Sequence, residues 1–264
     1  MTKRFRRTPE VEISLLIKEE SFIRPPREVQ RNALLNRAIK EFVLDLEAMN
    51  MLAERFVAGD TQQAFADRTQ TSLSDEEIME DWQFPVMEAM ADIVSETSGD
   101  VLEVGFGRGI SSTMIQELGV RSHTIIECND SVVERFHEWK QLLFEEVDSI
   151  HLVHGLWQDS MEDLGQFDGI FFHTYPLNEE EYLSYVHESV TFAEHFFEIA
   201  AQHLKAGGVF TYFSNEIDSL SRAHQRLLFQ HFSSFSAHLV PVQVPDNVKD
   251  TWWADSIVII KATK

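Results

Sequence analysis

The stretch Asp100-Val-Leu-Glu-Val-Gly-Phe-Gly-Arg-Gly109 constrains this chain more than any other. An apolar strand runs into Glu103, glycines follow at Gly105, Gly107 and Gly109, and Ile110-Ser-Ser-Thr-Met-Ile115 opens a helix. Glycine permits positive φ and carries no Cβ, so backbone can approach a bound group closely. The unpaired N–H groups of a helix N-terminus favour polar or anionic groups beside it. This is a way to seat a nucleotide-like ligand. The spacing G-x-G-x-G departs from the dinucleotide fingerprint G-x-G-x-x-G, which asks for a glycine where Ile110 stands. Glu103, two residues before the first glycine, is the second discriminating feature.

The flanks extend the pattern. Strands are expected at 123–128, 150–154, 167–174, 208–214, 236–244 and 256–262, with helices at 110–118, 131–146, 179–204 and 217–231. Strands alternating with helices predict a doubly wound, mostly parallel sheet, seven-stranded once the glycine strand is included. Right-handed crossovers then put the ligand crevice at the carboxyl ends of the strands. Upstream, Ser74-Asp-Glu-Glu77 is a capping box that opens a helix, and Phe84-Pro85 begins another running to about Ser95.

Residues 1–73 form an expected N-terminal helical extension or lid on the domain at 74–264. Val11-Glu-Ile-Ser-Leu-Leu-Ile17 is a candidate strand ending near Arg24-Pro-Pro26. After it Val29, Leu35, Ile39, Phe42, Leu46, Met49, Ala53 and Phe56 fall mostly three or four apart, the spacing of a long amphipathic helix. Such a helix serves as a lid or a dimerisation surface, which leaves a homodimer open, or it touches substrate directly.

Charge narrows the partners. The 264 residues carry a formal net charge of −22, which argues against nucleic acid or an anionic membrane surface, because phosphate binding needs clustered Lys and Arg. Lys3-Arg-Phe-Arg-Arg7 is too short to reverse that. No run of about 18 apolar residues suggests a membrane span, and the N-terminus has no apolar signal-peptide core. The single cysteine, Cys128, excludes an internal disulfide framework and fits a reducing cytoplasm. Eleven histidines invite a metal reading, yet His187, His195 and His203 fall eight apart, off one helical face, so no metal is expected.

Glu127 ends the second strand, where a carboxylate can accept both ribose hydroxyls of a bound nucleoside. A solvated strand end is the alternative. Gly155-Leu-Trp-Gln-Asp159 follows the third strand, with Leu156 and Trp157 offering apolar surface, though Trp157 can equally be core. Glu179-Glu-Glu181 reads as the acidic first turn of a helix capped by Asn178.

Seven segments together resemble the guanidinoacetate N-methyltransferases and their arginine-methylating relatives. They are Trp82-Gln-Phe-Pro-Val-Met87, Leu102-Glu-Val-Gly-Phe-Gly107, Ile125-Ile-Glu-Cys-Asn-Asp130, Gly155-Leu-Trp-Gln-Asp159, Phe167-Asp-Gly-Ile170, Thr174-Tyr-Pro-Leu177 and Leu204-Lys-Ala-Gly-Gly-Val-Phe-Thr-Tyr212. The resemblance covers roughly Asp81 to the end of the chain. It implies a Rossmann-like class I fold, S-adenosylmethionine (SAM) as cofactor and a small-molecule substrate. Under it, Glu103 faces the cationic end of the cofactor, and Gly105, Gly107, Gly109, Glu127, Cys128, Asn129, Leu156, Trp157 and Gln158 bind it. Gln158 or Asp159 is then a polar partner for the adenine amine. Trp82, Gln83, Met87, His173, Asn215 and Glu216 bind substrate, with Gln83, His173 and Tyr175 in catalytic positions.

Two departures bear on the substrate. In the family a Glu follows the Trp of the first motif and an Asp precedes Thr-Tyr-Pro, and together these hold the guanidinium. Here the positions are Gln83 and His173. Guanidinium is a strong cation with five donors, which carboxylates pair with. Asp81, Glu179, Glu180, Glu181 or Glu216 are available as relocated carboxylates. The leading expectation is nitrogen methylation of a guanidino or amino group. The alternatives are O-, N- or C-methylation of another acceptor, with a His173 of pKa near 6.5 as base, and a non-catalytic SAM-binding protein.

Overall fold

A computed structural model of the chain describes residues 69–143, 148–214, 216–245 and 254–264. The expected strand at 11–17, the amphipathic helix from Arg27 to about Phe56, and Asn215 lie outside the described residues.

The capping box forms: Ser74 accepts from the Glu77 backbone N–H while the Glu77 carboxylate takes the Ser74 N–H at 2.8 Å. It opens a single turn, α1 (Asp75–Ile78), and a 3-10 turn Asp81–Gln83 follows. Helix α2 (Phe84–Ser95) has Pro85 in its first turn, where a missing N–H costs nothing. Its stripe of Val86, Met87, Met90, Ala91, Ile93 and Val94 packs on the sheet. The larger of these side chains contribute about 1.5–3 kcal/mol each by burial.

The strands are β1 (Asp100–Val104), β2 (Ser122–Glu127), β3 (Ile150–His154), β4 (Phe167–Phe172), β5 (Leu204–Ser214), β6 (Ser234–Pro241) and β7 (Ser256–Thr263). They form one seven-stranded sheet, as the sequence predicts, in the order β3-β2-β1-β4-β5-β7-β6. Only β7 runs antiparallel to its neighbours β5 and β6. The remaining helices are α3 (Ile110–Glu117), α4 (Asp130–Leu142), the short α5 (Trp157–Ser160), α6 (Phe197–His203) and α7 (Arg222–His231).

Apolar side chains fill both faces of the sheet. Leu102, Val104, Ile170, Phe172, Phe210 and Tyr212 pack toward α6 and α7, while Val101, Phe171, Val209 and Ile259 pack toward α2 and α3. The chain leaves β1 toward β2 and β3, then returns to β4 on the other side of β1. That reversal opens a crevice at the strands' carboxyl ends.

One expected helix is broken. The span 179–204 folds as a turn Glu179–Glu181 with Asn178 as its cap, a π-helix Tyr182–His187, a 3-10 helix Phe192–Phe196 and then α6. The interruption has a local cause. Ser189 Oγ bonds back to the Ser184 carbonyl at 2.8 Å, the Glu194 carboxylate takes the Val190 N–H at 2.8 Å, and Thr191 is extended at φ −146°. Side chains that offer the backbone other partners compete with the helix ladder. The π-helix is a form that recurs near functional sites.

Candidate functional site

The cleft is built by three strand ends joined through their backbones. Gly105 N–H donates to the Ile126 carbonyl at 2.9 Å, Gly155 N–H to the Glu127 carbonyl at 2.9 Å, and His173 N–H to the Val104 carbonyl at 3.1 Å. Gly105 has φ +94°, and a Cβ there would stand 2.2 Å from the His173 carbonyl oxygen. Only glycine lets the β1 turn lie against the end of β4. Gly107 and Gly109 complete the loop at φ +56° and +73°.

Glu127 is the hub. Its buried carboxylate accepts the Phe106 N–H at 3.0 Å on one oxygen, and the Cys128 and Asn129 N–H groups at 2.8 Å each on the other. The glycine loop and the β2 turn are thus held by one side chain. A carboxylate offers about four lone-pair sites, so acceptor capacity remains. Glu127 lines a cleft of about 390 Å³ with Gly105, Cys128, Leu156, Trp157, Gln158 and Tyr175. Seven residues read from the sequence therefore share one site. Tyr175, 50% exposed, stands at its mouth. Cys128 is a neutral thiol: burial, with the Glu127 charge second, pushes its pKa up to about 12.

Sequence reasoning missed the far wall, where Phe192 and His195 line the same cleft. Trp157 lies 5.4 Å from His195 and 5.0 Å from Phe196, ring centre to ring centre, so it is at once wall and packing. Tyr185, from the π-helix, stacks flat on His195 at 3.9 Å and 7°. No motif signalled these residues, because the segment reads as uninterrupted helix. Leu177 and Glu181 also line the cleft, and Glu181 accepts the Leu177 N–H at 2.9 Å.

Several expected site residues stand elsewhere. Glu103 does not face the cleft. It is fully buried on the α3 side of β1, where its carboxylate accepts the Ser111 hydroxyl and the Ser112 hydroxyl at 2.5 Å. Strand alternation sends it to the face opposite Leu102 and Val104. His123 Nε2 lies 3.0 Å from the same carboxylate, outside hydrogen-bonding geometry. Asn129 caps α4, accepting the Val132 N–H at 3.1 Å and donating to the Thr71 carbonyl at 2.9 Å. Its side chain is committed to structure. Met87 is core, 1% exposed on the sheet-facing side of α2.

Trp82 is buried and donates to the Glu80 carboxylate at 3.1 Å, with Gln83 beside it half-buried. Arg108 of the glycine loop ties this segment down. It reaches the Met79 carbonyl at 2.9 Å and Asp81 at 2.7 Å, and lies 5.5 Å from the centre of the Phe84 ring. The Trp82-Gln83 motif is therefore next to the loop, though not in the cleft lining.

His173 closes β4 on the α2 side, its ring 5.3 Å from Phe213. Burial lowers its pKa to about 4, against a smaller opposing effect of the Glu103 charge. The imidazole is neutral at pH 7, and a weaker base than the value near 6.5 expected from the sequence. Glu216 belongs to a buried chain: it lies 3.0 Å from His224 Nδ1, whose Nε2 lies 2.5 Å from the Tyr212 hydroxyl. Its pKa is lowered despite burial, because His224 and Ser221 bond to it.

The profile of the family described as Guanidinoacetate N-methyltransferase matches residues 57–252, well over half of the chain. The chain belongs to this family. It is a class I SAM-dependent methyltransferase by family and fold, with SAM as the cofactor of that family. Protein arginine N-methyltransferase 2 of Candida glabrata is 28% identical over 148 residues, 52% of this chain and 32% of that relative. Protein arginine N-methyltransferase 2 of Aspergillus oryzae is 34% identical over 118 residues, 43% and 28% respectively. The matched region thus spans about a third of the length of these relatives. Among solved structures, the N-methyltransferase NodS from Bradyrhizobium japonicum WM9, in complex with S-adenosylhomocysteine, superposes with a TM-score of 0.53 over 78% of this chain and 98% of that one at 10% identity, a likeness of fold. The cleft suits such a cofactor: Gly105, at positive φ, lines it beside a carboxylate with spare acceptor capacity at the end of β2.

Proposed function

We propose that this protein methylates a nitrogen of a guanidino or amino group on an amino-acid-like small molecule. The family match across both the Trp82 and the Thr174 segments carries the reading. When bound, SAM supplies an electrophilic methyl on a sulfonium. Glu127 holds the ribose hydroxyls, Gly105 gives the amino-acid end its backbone approach, and the Gly155–Gln158 turn borders the base. The remaining task is to hold an unprotonated nitrogen in line with that methyl, and positioning of this kind supplies much of the acceleration in such displacements.

A cationic acceptor needs a carboxylate, and the candidates differ. Asp81 is paired with Arg108, and Glu216 is committed to His224 and the Ser221 N–H. Glu181 lines the cleft, and its Gln158 contact, at 3.4 Å, is long for a hydrogen bond. We assign Glu181 to the substrate's positive charge. His173, neutral and half-buried, can receive the released proton but holds it weakly, so it passes the proton on to solvent. The single cysteine supports a reducing cytoplasm as the setting.

A second reading, methylation of another acceptor with His173 as base, is favoured by the uncharged Gln83 and His173 where the family carries carboxylates. The test is S-adenosylhomocysteine release with purified protein. The panel sets guanidinoacetate, arginine and an arginine-containing peptide against amines, carboxylic acids and phenols. Turnover of a free guanidine or amine, reduced tenfold or more in Glu181→Gln, is the expected result. Turnover of the peptide alone would move the substrate to proteins. Turnover of acids or phenols alone would establish the second reading, and binding of SAM without turnover on any arm would leave a binding protein.

A further inference from the structure

The two edges of the sheet are finished differently. At one, β3 is five residues long, and Lys140 donates to the Ile150 carbonyl at 2.8 Å. At the other, β6 is eight residues long, pairs with β7 alone among the described residues, and carries no Lys, Arg, Asp or Glu. An open edge presents a row of N–H and C=O groups to any passing strand, and proteins ordinarily blunt it with Lys, Pro or a covering element. Two apolar side chains stand exposed beside this one, Phe229 of α7 at 61% and Leu239 of β6 at 57%. Phe229 lies 5.0 Å from Phe235, ring centre to ring centre.

Backbone register sets which groups are free. Val242 N–H donates to the carbonyl of Asp255, the residue opposite it, at 2.9 Å. Bonded and non-bonded pairs alternate along an antiparallel ladder, so the even-numbered residues of β6 turn their backbone groups toward β7. Phe235, Ala237 and Leu239 turn theirs outward, and so does Pro241, which has no N–H to leave unpaired. Phe235 and Ala237 pack on the core that holds Leu228 of α7, and alternation puts Leu239 on the same face. A two-fold axis through Ala237 makes this edge complementary to itself. Ala237 then faces its own copy, Phe235 faces Leu239, and each outward N–H meets a carbonyl. Moving the axis to His238 would set the Phe235 carbonyl against a proline with no N–H. Charge singles out the same surface. The chain carries 44 Asp and Glu, yet none lies between Asp218 and Asp246, a span that holds all of α7 and β6 together with Arg222 and Arg226. Two copies of net charge −22 repel where acidic surfaces meet, and these two elements bring no carboxylates to the contact.

We propose that the outer edge of β6 is an interface for a second copy of this chain, the two sheets joining antiparallel about a two-fold axis at Ala237. The contact is isologous, so one patch supplies both sides and the assembly closes at two chains. Side chains directly opposite on paired strands touch, which brings Phe229 and Phe235 of one copy over Leu239 of the other at both ends of the joined strands. The exposed apolar groups are thereby covered. In the sheet order β6 lies three strands beyond β4, so the cleft at the ends of β1, β2 and β4 stays open in both copies.

The experiment is sedimentation velocity on the full chain, wild type and Leu239→Glu, at low and high salt over roughly 1–100 µM, the range in which small interfaces associate. Wild type is expected to pass from one chain to two as concentration rises, and to associate more tightly in high salt, which screens the repulsion between two acidic copies. Leu239→Glu changes an exposed position and sets a carboxylate against the partner's Phe229 and Phe235. It is expected to weaken the dimer about thirtyfold or more and, when dilute, to melt as wild type does. Ala237→Cys reads the axis: mild oxidation is expected to link two chains through residue 237, mapped by peptide mass, because Cα atoms of a bonded antiparallel pair lie about 5.5 Å apart. A wild type that stays single through the whole range overturns the proposal. A dimer that Leu239→Glu leaves at wild-type strength overturns it too, placing the contact elsewhere, and a dimer that does not link through residue 237 rejects this axis.

Discussion

Replacing Glu127 with Ala tests the site at its most connected residue. The carboxylate accepts three backbone N–H groups, at 3.0, 2.8 and 2.8 Å, that tie the glycine loop to the β2 turn. Hydrogen bonds to a charged group contribute about 1.5–3 kcal/mol each. Water admitted by the truncation recovers part of that, leaving a net loss of about 2–4 kcal/mol. In a domain of this size each kcal/mol shifts the melting temperature by about 2–4 °C, so Glu127→Ala is expected to melt roughly 5–15 °C lower. Losing the ribose acceptor lowers affinity for S-adenosylhomocysteine by about 1–3 kcal/mol, or roughly 5- to 150-fold. Glu127→Gln separates the two effects. Its amide oxygen can keep the Cys128 and Asn129 N–H groups, while its NH₂ turns toward the Phe106 N–H and repels it. Most of the stability is then retained, and most of the affinity is lost. The assays are differential scanning calorimetry without ligand and titration calorimetry with S-adenosylhomocysteine at pH 7.5. An Ala variant whose affinity stays within twofold of wild type would refute the ribose assignment. An unchanged melting temperature would refute the linkage of loop to turn.

Gly105→Ala places a Cβ 2.2 Å from the His173 carbonyl at φ +94°, so the loop must move away from β4. It is expected to cost about 2 kcal/mol or more and to abolish measurable S-adenosylhomocysteine binding; wild-type affinity in a folded Gly105→Ala protein would show that the loop does not carry the cofactor. Stability is expected to fall with pH in a window set by His173 and His195, both lowered to about 4 by burial. Each binds its proton near pH 6.5 when unfolded, so between about 6.5 and 4 the unfolded chain holds more protons and acidification favours it. Both rings are only partly buried by area, which limits the loss to about 1–2 kcal/mol per ring across that window. Asp75, Asp168 and Glu216, whose pKa values are lowered, lose their contributions at still lower pH. Urea midpoints at pH 7, 6, 5 and 4 read the slope, and a double variant of His173 and His195 that is as steep as wild type would refute the assignment.

What the sequence reveals here is what neighbouring residues decide among themselves. The capping box at Ser74, the turn at Gly105 and the carboxylate closing β2 each depend on residues a few positions apart, and each forms as expected. The face occupied by Glu103 does not belong to that class. Both faces of this sheet are covered, so β1 has no polar side whose alternation would show which way position 103 points. Only the Ser111 and Ser112 hydroxyls, one crossover away, tell that the carboxylate serves α3. Asn129 was legible in principle, since an Asn directly before a helix is a cap, but its place in a ligand motif competed with that reading. The break at Ser189–Thr191 hid the far wall, because the apolar spacing continues through it while the Glu194 and Ser189 side chains take the backbone groups. His195 is the sharpest case. A histidine in a run of aromatics reads as packing, and its surroundings come from Trp157, Phe172 and Tyr185, on three separate elements. Whether a buried polar side chain serves the fold or a ligand is decided by whether the fold itself supplies its partner. Glu103 has both carboxylate oxygens taken by Ser111 and Ser112 and belongs to the scaffold, whereas Glu127 keeps acceptor capacity at the cleft after taking three backbone donors.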